Sequence, residues 1–396
     1  MKKNNTNSGK QRTTKPNQAE ISKQSASEQL TAGLDLGDRT SHYCFVNAAG
    51  EVIQRDKVPT TKEDLRQKFQ LSGRVRIVME AGTHSPWVSR CLMKLGHEVI
   101  VANPRKVGLI TSARRKNDRI DAEKLARMGR LDPKLLSPIV HRGEQAQEDL
   151  AQIRARHELV ELRTAAINSA RGMVKSFGFR LPSCDAGQMG TAQAAGLPAG
   201  LKRCIEPLLE TAAQLTAQIQ AAEQRIHEIA KRYPEIELVT VIYGVGELTA
   251  LMFLLTLDNV ARFGKSREVG PYLGLAPGQW QSGASDLQQR ITKEGDRMVR
   301  WILVQCAHTI LRHGAPDSDL RRWGLGKLEQ HQQQKPGKAG KKTVGKKKVL
   351  VAVARKLGVL MHHLLATGEV YDPLYGAKQE AAAQAARKRK AARQAA

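Results

Sequence analysis

The sequence predicts a mixed α/β domain followed by a largely helical chain. Residues 31–102 contain short apolar segments of strand length separated by turn signals. Residues 144–233 carry apolar residues at alternating steps of three and four, which is a helical spacing. After Pro234 further apolar helical segments follow, and a length of 396 residues suggests two or three domains at roughly 150 residues each.

The charge of the chain predicts a polyanionic partner. The formal net charge is +26 and the isoelectric point is near 10.1. Each lysine or arginine that neutralises a phosphate releases counterions, so nucleic acid is the default partner and an anionic membrane surface the weaker one. Aromatic residues make up only 4% of the chain, which argues against a base-stacking platform spread over the whole surface.

The cysteines predict neither zinc nor disulfides. They are odd in number and scattered, without a Cys-x-x-Cys pair: Cys44, Cys91, Cys184, Cys204 and Cys306. This usage is typical of a reducing cytoplasm, so we expect a bacterial cytoplasmic, nucleoid-associated protein. No secretion signal is evident, and the longest apolar run, Leu248–Leu257, is too short to span a bilayer, so we expect no membrane partner.

The first domain is predicted from the order of its segments. Residues 1–30 are polar and basic and are expected to be a disordered arm. Three strands joined as a meander, then two strands separated by helices, then a helix that begins near Asp118, is the order of an RNase H-like or RuvC-like domain. The predicted strands are 32–36, 41–47, 51–58, 76–79 and 98–102, and the predicted helices are 62–69 and 86–95.

Four acids in this domain predict a metal site. Asp35 lies in the first strand, Glu80 closes the fourth, and Asp118 and Asp121 are three residues apart at the helix start, so they share a helix face. Convergent carboxylates repel one another unless a cation joins them, and such oxygen ligands suit Mg²⁺ or Mn²⁺. Taken singly, each acid also has an ordinary interpretation, such as a solvated residue or an N-cap. Asp38 and Glu123 are interpreted as solvated or as supporting the ligands.

Residues 144–233 predict an antiparallel coiled coil. Its second half has a regular seam, formed by Ile205, Leu208, Ala212, Leu215, Ile219, Ala222, Ile226, Ile229 and Tyr233. The first half has a sparser apolar seam, formed by Ile153, Val160, Ile167 and Val174, and residues 177–198 connect the two halves. The seam could pair only within the chain or continue into a neighbouring protomer, and we favour a role in oligomer assembly.

The C-terminal domain contains two candidate motifs. Gly244-Val245-Gly246 lies between apolar helical segments, as in helix-hairpin-helix modules that present backbone N–H groups to a phosphate, although a plain tight turn explains it equally well. Ser282 lies in a polar stretch before a basic segment and could be an exposed nucleophile. Local sequence alone favours an ordinary turn serine at this position.

Basic residues in several segments are candidates for nucleic-acid binding. They occur in the loop before Asp118, around the Gly-x-Gly turn, after Ser282 and in the lysine-rich insertion 335–348. The residues that we select are Arg114, Arg115, Lys116, Gly244, Gly246, Arg290, Lys293, Arg297, Lys341, Lys342, Lys346 and Lys347. The predicted domains are 1–30 (arm), 31–143 (RuvC-like), 144–233 (coiled coil), 234–375 (C-terminal domain) and 376–396 (basic tail).

Together these motifs resemble the DEDD transposases of insertion sequences, the bridge-RNA-guided recombinases that include the Piv-type invertase. The resemblance covers about residues 31–375. The motifs that carry it are Gly33-Leu34-Asp35, Met79-Glu80-Ala81, Lys116-Asn117-Asp118-x-x-Asp121-Ala122, Gly244-Val245-Gly246, Gly274-Leu275-Ala276-Pro277, Gln281-Ser282-Gly283 and Thr292-Lys293-x-Gly295.

The resemblance implies a RuvC-like domain, a coiled-coil insertion and a C-terminal transposase domain. It assigns metal binding to Asp35, Glu80, Asp118 and Asp121, and attack on DNA to Ser282 through a phosphoserine intermediate. It also implies DNA and a guide RNA as partners. We expect a dimer or tetramer in which the acids of one protomer serve the serine of another.

The sequence departs from the family pattern in two ways. Thr292 stands where the family usually has serine, and the lysine-rich insertion and the ends are longer than in a minimal member. In addition, Ser285 is close enough to Ser282 to be the nucleophile instead. A RuvC-like nuclease or junction resolvase using activated water is the first alternative. A noncatalytic RNA-binding scaffold is the second.

Overall fold

The structure is a computed structural model that describes residues 18–105, 118–282, 285–333, 339–381 and 383–384. For residues 118, 119, 280–282, 285–288, 331, 332 and 339–344 it describes the backbone alone. The chain divides into two compact units, Met1–Arg142 and Gly143–Ala396. The predicted domain boundaries at residues 31, 144, 234 and 376 stay predictions.

The first unit is built on a five-stranded sheet with the order β3-β2-β1-β4-β5. Its strands are β1 (Thr31–Asp35), β2 (Thr40–Val46), β3 (Val52–Pro59), β4 (Arg76–Glu80) and β5 (Glu98–Ala102). The first three pair antiparallel, and β1, β4 and β5 pair parallel. A mixed α/β N-terminal unit is therefore confirmed, and its strand order is compatible with an RNase H-like domain.

Helices cover both faces of this sheet. They are α1 (Gln18–Ser27), α2 (Lys62–Phe69), α3 (Ser85–Lys94) and α4 (Asp118–Leu131). One face buries large side chains such as Leu34, Phe45 and Met79 against α1, α2 and α3. The other face meets α4 through the small residues Ala122 and Ala126 near β1 and β2 and through Leu125 near β4 and β5. The two faces thus differ in how closely a helix approaches the sheet.

The expectation of a disordered arm over residues 1–30 is wrong for its last part, because Gln18–Ser27 forms α1. Ile21 is 1% exposed and joins the core of the first unit. A Cβ at Gly73 would lie 1.8 Å from the Ser25 carbonyl oxygen, so α1 is in direct contact with the loop between α2 and β4. Since a single buried isoleucine in a polar sequence gives little periodic signal, composition alone did not reveal this helix. Residues 1–17 lie outside the described residues.

The second unit is mainly helical, as predicted. The α-helices among its described residues are α5 (Glu144–Ser176), α6 (Ala199–Ala230), α7 (Glu237–Thr240), α8 (Glu247–Leu257), α9 (Val269–Tyr272), α10 (Arg297–Ile310), α11 (Asp319–Gln333) and α12 (Ala339–Thr367). A hairpin of β6 (Pro277–Ser282) and β7 (Ser285–Ile291) interrupts them. The sequence analysis interpreted this segment as a polar turn, whereas it pairs as two antiparallel strands.

Helices α5 and α6 pack side by side and antiparallel. Arg163 Nη1 donates to Thr216 Oγ1 at 3.2 Å, and Arg156 forms an ion pair with Glu223. The buried seam of α6 contains Leu209 and Thr216 in place of the predicted Leu208 and Leu215, which are only half-buried. The Thr216 hydroxyl also donates to the Ala212 carbonyl at 2.9 Å, so this buried polar group is satisfied. A coiled coil in the strict knobs-into-holes sense stays a prediction.

The last long helix begins earlier than predicted. We expected a helix from Val349 to Leu365 after a lysine-rich insertion, but α12 already begins at Ala339. Helix propagation adds one hydrogen bond per residue onto an existing nucleus, and lysine is a good helix former, so the packed part extends towards the N-terminus. By length and composition the segment Gly345–Thr367 could cross a membrane, the one such candidate in the described part of the chain, and half of its apolar window is buried in the protein.

Candidate active site

The ends of β1 and β4 bring two of the predicted acids side by side. These strands are parallel neighbours with Leu34 opposite Met79, so Asp35 and Glu80, the next residues, close the two strands together. Leu34 and Met79 face the core of large side chains. Because side chains alternate along a strand, Asp35 and Glu80 extend from the opposite face, which α4 covers.

Helix α4 brings its first turn to the same edge of the sheet. A Cβ at Gly129 would lie 2.2 Å from Val78 and 3.7 Å from the methyl group of Thr31. A Cβ at Gly33 would lie 1.9 Å from the Ala122 carbonyl oxygen. Thr31 of β1 therefore lies near Gly129 of α4, whereas Gly33 lies near Ala122, which is earlier in the helix. The helix is thus antiparallel to the strand. Its N-terminal turn, which contains Asp118 and Asp121, lies towards the carboxyl ends of β1 and β4.

The donor chemistry at this edge suits a divalent cation. Asp35, Glu80 and Asp121 supply carboxylate oxygens, the ligands that Mg²⁺ and Mn²⁺ prefer. The Asp121 carboxylate is 3.3 Å from the ammonium group of Lys124, which offsets part of its charge. Among the described side chains, which leave out that of Asp118, no group of three or more metal-ligating residues is assembled. The backbone arrangement and the ligand type fit the predicted site, and the assignment of the four acids as ligands stays a prediction.

Two neighbouring acids have other partners. Glu123 forms ion pairs with Arg55 and, at 2.8 Å, with Arg127, and its side chain is 18% exposed. It thereby links α4 to β3. Asp38 is 92% exposed and lies 3.4 Å from His84 Nε2. Glu123 is thus part of a structural ion-pair network, and Asp38 joins the loop after β1 to the loop after β4.

The sequence analysis missed a polar cluster that follows Glu80. The Trp87 indole N–H donates to His84 Nδ1 at 3.2 Å, so His84 carries its own proton on Nε2, the nitrogen that faces Asp38. Ser85 Oγ lies 2.8 Å from His141 Nε2. Burial lowers the pKa of His141, and the nearby Arg90 and Arg142 lower it further. The signal available was the run Thr83-His84-Ser85 directly after an acid-bearing strand.

The two candidate serines lie opposite each other in the second unit. Ser282 ends β6 and Ser285 begins β7, and they are the last pair of the β6–β7 ladder. Residues 283 and 284, which connect them, lie outside the described residues. Both serines remain candidates, because their Cα atoms occupy equivalent places on the two strands.

Gly274 and Gly295, each from one of the family motifs, lie just before and just after the β6–β7 hairpin. Gly274 has a φ of +67°, and a Cβ there would lie 2.2 Å from the Glu294 carbonyl oxygen. Gly295 has a φ of +71°, and a Cβ there would lie 2.2 Å from the Tyr272 carbonyl oxygen. Arg300 Nη1 donates to the carbonyl oxygens of Leu273 and Gly295 at 3.2 and 3.0 Å. The two motifs are therefore packed backbone to backbone and fix the start and end of the hairpin.

The predicted nucleic-acid contacts fall in several places. Arg114, Arg115 and Lys116 lie outside the described residues, and only the backbone of Lys341 and Lys342 is described. Exposed side chains in the second unit are Arg290, Lys293, Arg297, Lys346 and Lys347. Gly244 has a φ of +89°, and Gly246 is the N-cap of α8 with no side-chain cap. This turn precedes a helix N-terminus, as a helix-hairpin-helix element requires, but its role in binding phosphate stays a prediction.

The sequence is similar to those of known transposases over most of its length. Residues 32–178 match the transposase family model DEDD_Tnp_IS110, and residues 236–321 match that of the transposase IS116/IS110/IS902 family. The chain is 26% identical over 347 residues to the transposase for insertion sequence element IS1111A of Coxiella burnetii, covering 86% of this chain and 90% of the relative. It is 27% identical over 304 residues to the transposase for insertion sequence element IS1328 of Yersinia enterocolitica, covering 76% and 89%.

These matches define the class of protein. The chain is a transposase, an enzyme that acts on DNA. It belongs to the IS110-type DEDD transposase family of insertion sequences, as its motifs predicted.

Proposed function

We propose that this transposase cuts and rejoins DNA with a divalent-cation site formed by Asp35, Glu80, Asp118 and Asp121 and with Ser282 as nucleophile. The observation that carries the proposal is the common edge at which β1 and β4 end and α4 begins. Two carboxylates that end adjacent parallel strands repel each other, and a divalent cation between them offsets this repulsion.

The carboxylates would hold Mg²⁺ or Mn²⁺. Such a cation, when bound, stabilises the charge that develops on the oxygens of a scissile phosphate. The chain itself fixes the positions of the acids, because the sheet register aligns Asp35 with Glu80 and close packing fixes α4 against β1. Lys124, beside Asp121, reduces the repulsion among the carboxylates.

The serine provides a covalent route for strand exchange. Ser282 Oγ forms a bond to phosphorus, the hydroxyl proton passes to solvent water, and the bond from phosphorus to the leaving deoxyribose oxygen breaks. The leaving oxygen takes up a proton. A DNA hydroxyl then attacks the phosphoserine, so the phosphodiester is restored and Ser282 is released. No external energy source is needed, because each bond that breaks is replaced by one of the same kind.

Trapping the covalent intermediate tests this proposal. Element-end DNA is incubated with the enzyme and Mg²⁺, and the products are run on a denaturing gel. We expect a protein–DNA adduct with the wild type and with Ser285→Ala, and none with Ser282→Ala, which should still bind DNA. An adduct that depends on Ser285 instead would reassign the nucleophile. Free 5′-phosphate ends without any adduct would favour cleavage by activated water and would overturn the serine mechanism.

The acids are tested by matched substitutions in the same assay. Asp35→Asn, Glu80→Gln and Asp121→Asn should each reduce cleavage by roughly 10²-fold or more, since each removes a charge from the site. Glu63→Gln is the control, because Glu63 is an exposed acid on α2. Wild-type cleavage by the Asp35 and Asp121 variants would refute the metal site.

We further propose that the acids of one protomer serve the serine of another within a homo-oligomer, since the two halves of the chemistry lie in different units of the chain. Asp35→Asn protein and Ser282→Ala protein should each be inactive alone and should regain cleavage when they are mixed. Persistent inactivity of mixed oligomers, with mixing verified by affinity tags of two kinds, would refute a shared site.

The last part of the proposal concerns a guide RNA. A net charge of +26 exceeds what binding to a short DNA site requires, and it supports a second polyanionic partner. Purified enzyme treated with ribonuclease should lose sequence-specific cleavage and regain it when the noncoding RNA transcribed from the flanks of its own reading frame is added. Specific cleavage by RNA-free protein would show that the protein side chains read the target.

A further inference from the structure

The loop that connects α5 and α6 forms a small, separately packed tip. Ile167, Val174, Ile205 and Leu209 are buried there together with Met189 of the connecting loop. This cluster is separate from the main core of the second unit. A helix the length of α5 spans about 50 Å at 1.5 Å per residue, and the contacts of Arg156 and Arg163 with α6 show that the tip is the end where the two helices connect.

Charge is segregated along this helical pair. Residues 162–209, which form the tip, contain six lysines and arginines and two acids, Asp185 and Glu206. The remaining parts of the two helices, residues 144–161 and 210–230, contain eight acids and three lysines and arginines. A solvated helical pair needs no such separation, because mixed charges suffice for solubility. The positive end is therefore complementary to a polyanion.

The tip also contains a cleft of about 630 Å³ with an aromatic wall. Phe179, Arg171, Lys175 and Arg180 line it together with Leu181 and Pro182. This volume lies in the range of small-molecule sites, roughly 300–1,000 Å³. Among the described residues, no carboxylate lies within 4.0 Å of any of the three cations. Their charges are therefore not neutralised by the part of the chain that the structure describes.

The backbone holds the aromatic residues in place. The Phe179 N–H donates to the Val174 carbonyl at 3.0 Å and the Gly178 N–H to the Lys175 carbonyl at 3.1 Å, with Gly178 at a φ of +81°. This pair of bonds is a Schellman motif, which ends α5 in a fixed geometry. Phe179 remains 38% exposed and Phe177 67% exposed. Neither ring belongs to the buried apolar cluster of the tip.

We propose that the α5–α6 tip binds an unpaired nucleic-acid strand. Arg171, Lys175 and Arg180 contact its phosphates, and a base stacks on Phe179, with Phe177 beside it. Stacking on an aromatic ring combined with a cationic groove is the general mode of single-strand binding and tolerates any base. The unpaired strand could be DNA opened during the reaction or a loop of RNA, and both present the same phosphates and bases. The proposal does not depend on the assignment of the acids or of Ser282.

Photo-crosslinking to the full chain tests the position of the site. The probes are two 20-nucleotide strands of one sequence, an RNA with 5-iodouridine and a DNA with 5-iododeoxyuridine. We expect crosslinked peptides that contain Phe177 or Phe179, and the probe that gives them at the lower concentration identifies the kind of strand. Crosslinks elsewhere in the chain and none within residues 171–183, with both probes, would overturn the proposal.

Salt dependence of probe binding tests the cations. Arg171→Gln/Arg180→Gln should lower the slope of log K against log salt by about 1.4, at about 0.7 for each phosphate contact of a single strand. The control, Arg66→Gln/Lys94→Gln, removes two exposed charges from the first unit and should leave crosslinking at the tip unchanged. An unchanged slope in the tip variant, with helical content intact by circular dichroism, would refute the phosphate contacts.

Substitutions of the rings separate stacking from folding. Phe179→Ala should weaken probe binding roughly 5- to 150-fold, the range for a lost stacked base. Phe179→Leu keeps an apolar side chain but offers no ring, so it should also weaken binding while the tip stays folded. Full binding by Phe179→Leu would refute stacking. If Phe177→Ala and Phe179→Leu instead abolish self-association and leave probe binding intact, the tip is a protein contact and the proposal is wrong.

Discussion

Gly33→Ala is the most direct test of how the fold positions the acids. A Cβ at Gly33 would lie 1.9 Å from the Ala122 carbonyl oxygen and 2.6 Å from the Ala126 backbone nitrogen, both on α4. Ordinary contact begins at 3.4 Å, so the methyl group displaces α4 by about 1.5 Å. The obstacle is helix backbone, which no rotamer change can move aside.

The displacement should affect catalysis more than stability. Overpacking by one methyl group costs typically about 1–3 kcal/mol, which lowers the melting temperature of a unit of this size by a few degrees per kcal/mol. A misplacement of about 1 Å at a catalytic centre can cost roughly 10²-fold in rate. Because Asp118 and Asp121 lie on the first turn of α4, we expect single-turnover DNA cleavage to fall by about 10²-fold or more while DNA binding persists.

A matched glycine provides the control. Gly326 lies on α11 with no atom within 4 Å of an added Cβ, so Gly326→Ala should leave activity unchanged and raise stability by about 0.5–1 kcal/mol. Cleavage rates come from a gel assay on element-end DNA, and stabilities from thermal unfolding followed by circular dichroism. Wild-type rate and melting temperature in Gly33→Ala would refute the close packing of α4 on β1 and the alignment of the acids that depends on it.

Three further predictions concern stability. Mg²⁺ at 100 times its dissociation constant should stabilise the wild type by about 2.7 kcal/mol and Asp35→Asn by much less; equal thermal shifts would contradict the metal site. Gly274→Ala should unfold at lower temperature by several degrees, because its φ of +67° and its contact with Glu294 exclude a Cβ; unchanged melting would contradict that geometry. Burial raises the pKa of Asp296, but hydrogen bonds from backbone N–H groups and Arg154 outweigh this and lower it overall. Its stabilisation is therefore present above roughly pH 4 and lost below, and Asp296→Asn should flatten the acid limb of a stability–pH profile.

Much of the first unit could be predicted because its signals are local. The strand at 98–102 and the helix at 62–69 have the predicted bounds, since turn residues and apolar alternation mark both ends. The acids Asp35 and Glu80 were found from their positions at strand ends. The structure adds that β1 and β4 are parallel neighbours, and this pairing places the two acids side by side.

The parts that were missed depend on contacts distant in sequence. Helix α1 is held by Ile21 in a core assembled from the five strands, α2 and α3, and its own sequence is polar. The β6–β7 hairpin has polar residues on both strands, so neither an apolar face nor a turn signature revealed it. The pairing of Asp38 with His84 joins two loops that meet only because β1 and β4 are neighbours. The structure of these segments is determined by contacts with distant parts of the chain, which a local sequence pattern does not reveal.

The way α4 is attached explains why the acids and the fold depend on each other. Small residues such as Ala122 face the sheet at one contact, and Leu125 of the same helix packs in a second buried cluster with Val78 and Ile100. Guanidinium groups add hydrogen bonds to this packing: Arg127 donates to the Gly50 carbonyl at 3.0 Å, and Arg76 donates to the Gly129 carbonyl at 3.1 Å. These bonds hold the middle and the end of the helix, whereas its first turn has the acids. A larger side chain at the helix–sheet contact would strengthen the core but move that turn away from Asp35, so the small residues are best explained as the condition for close approach of the carboxylates.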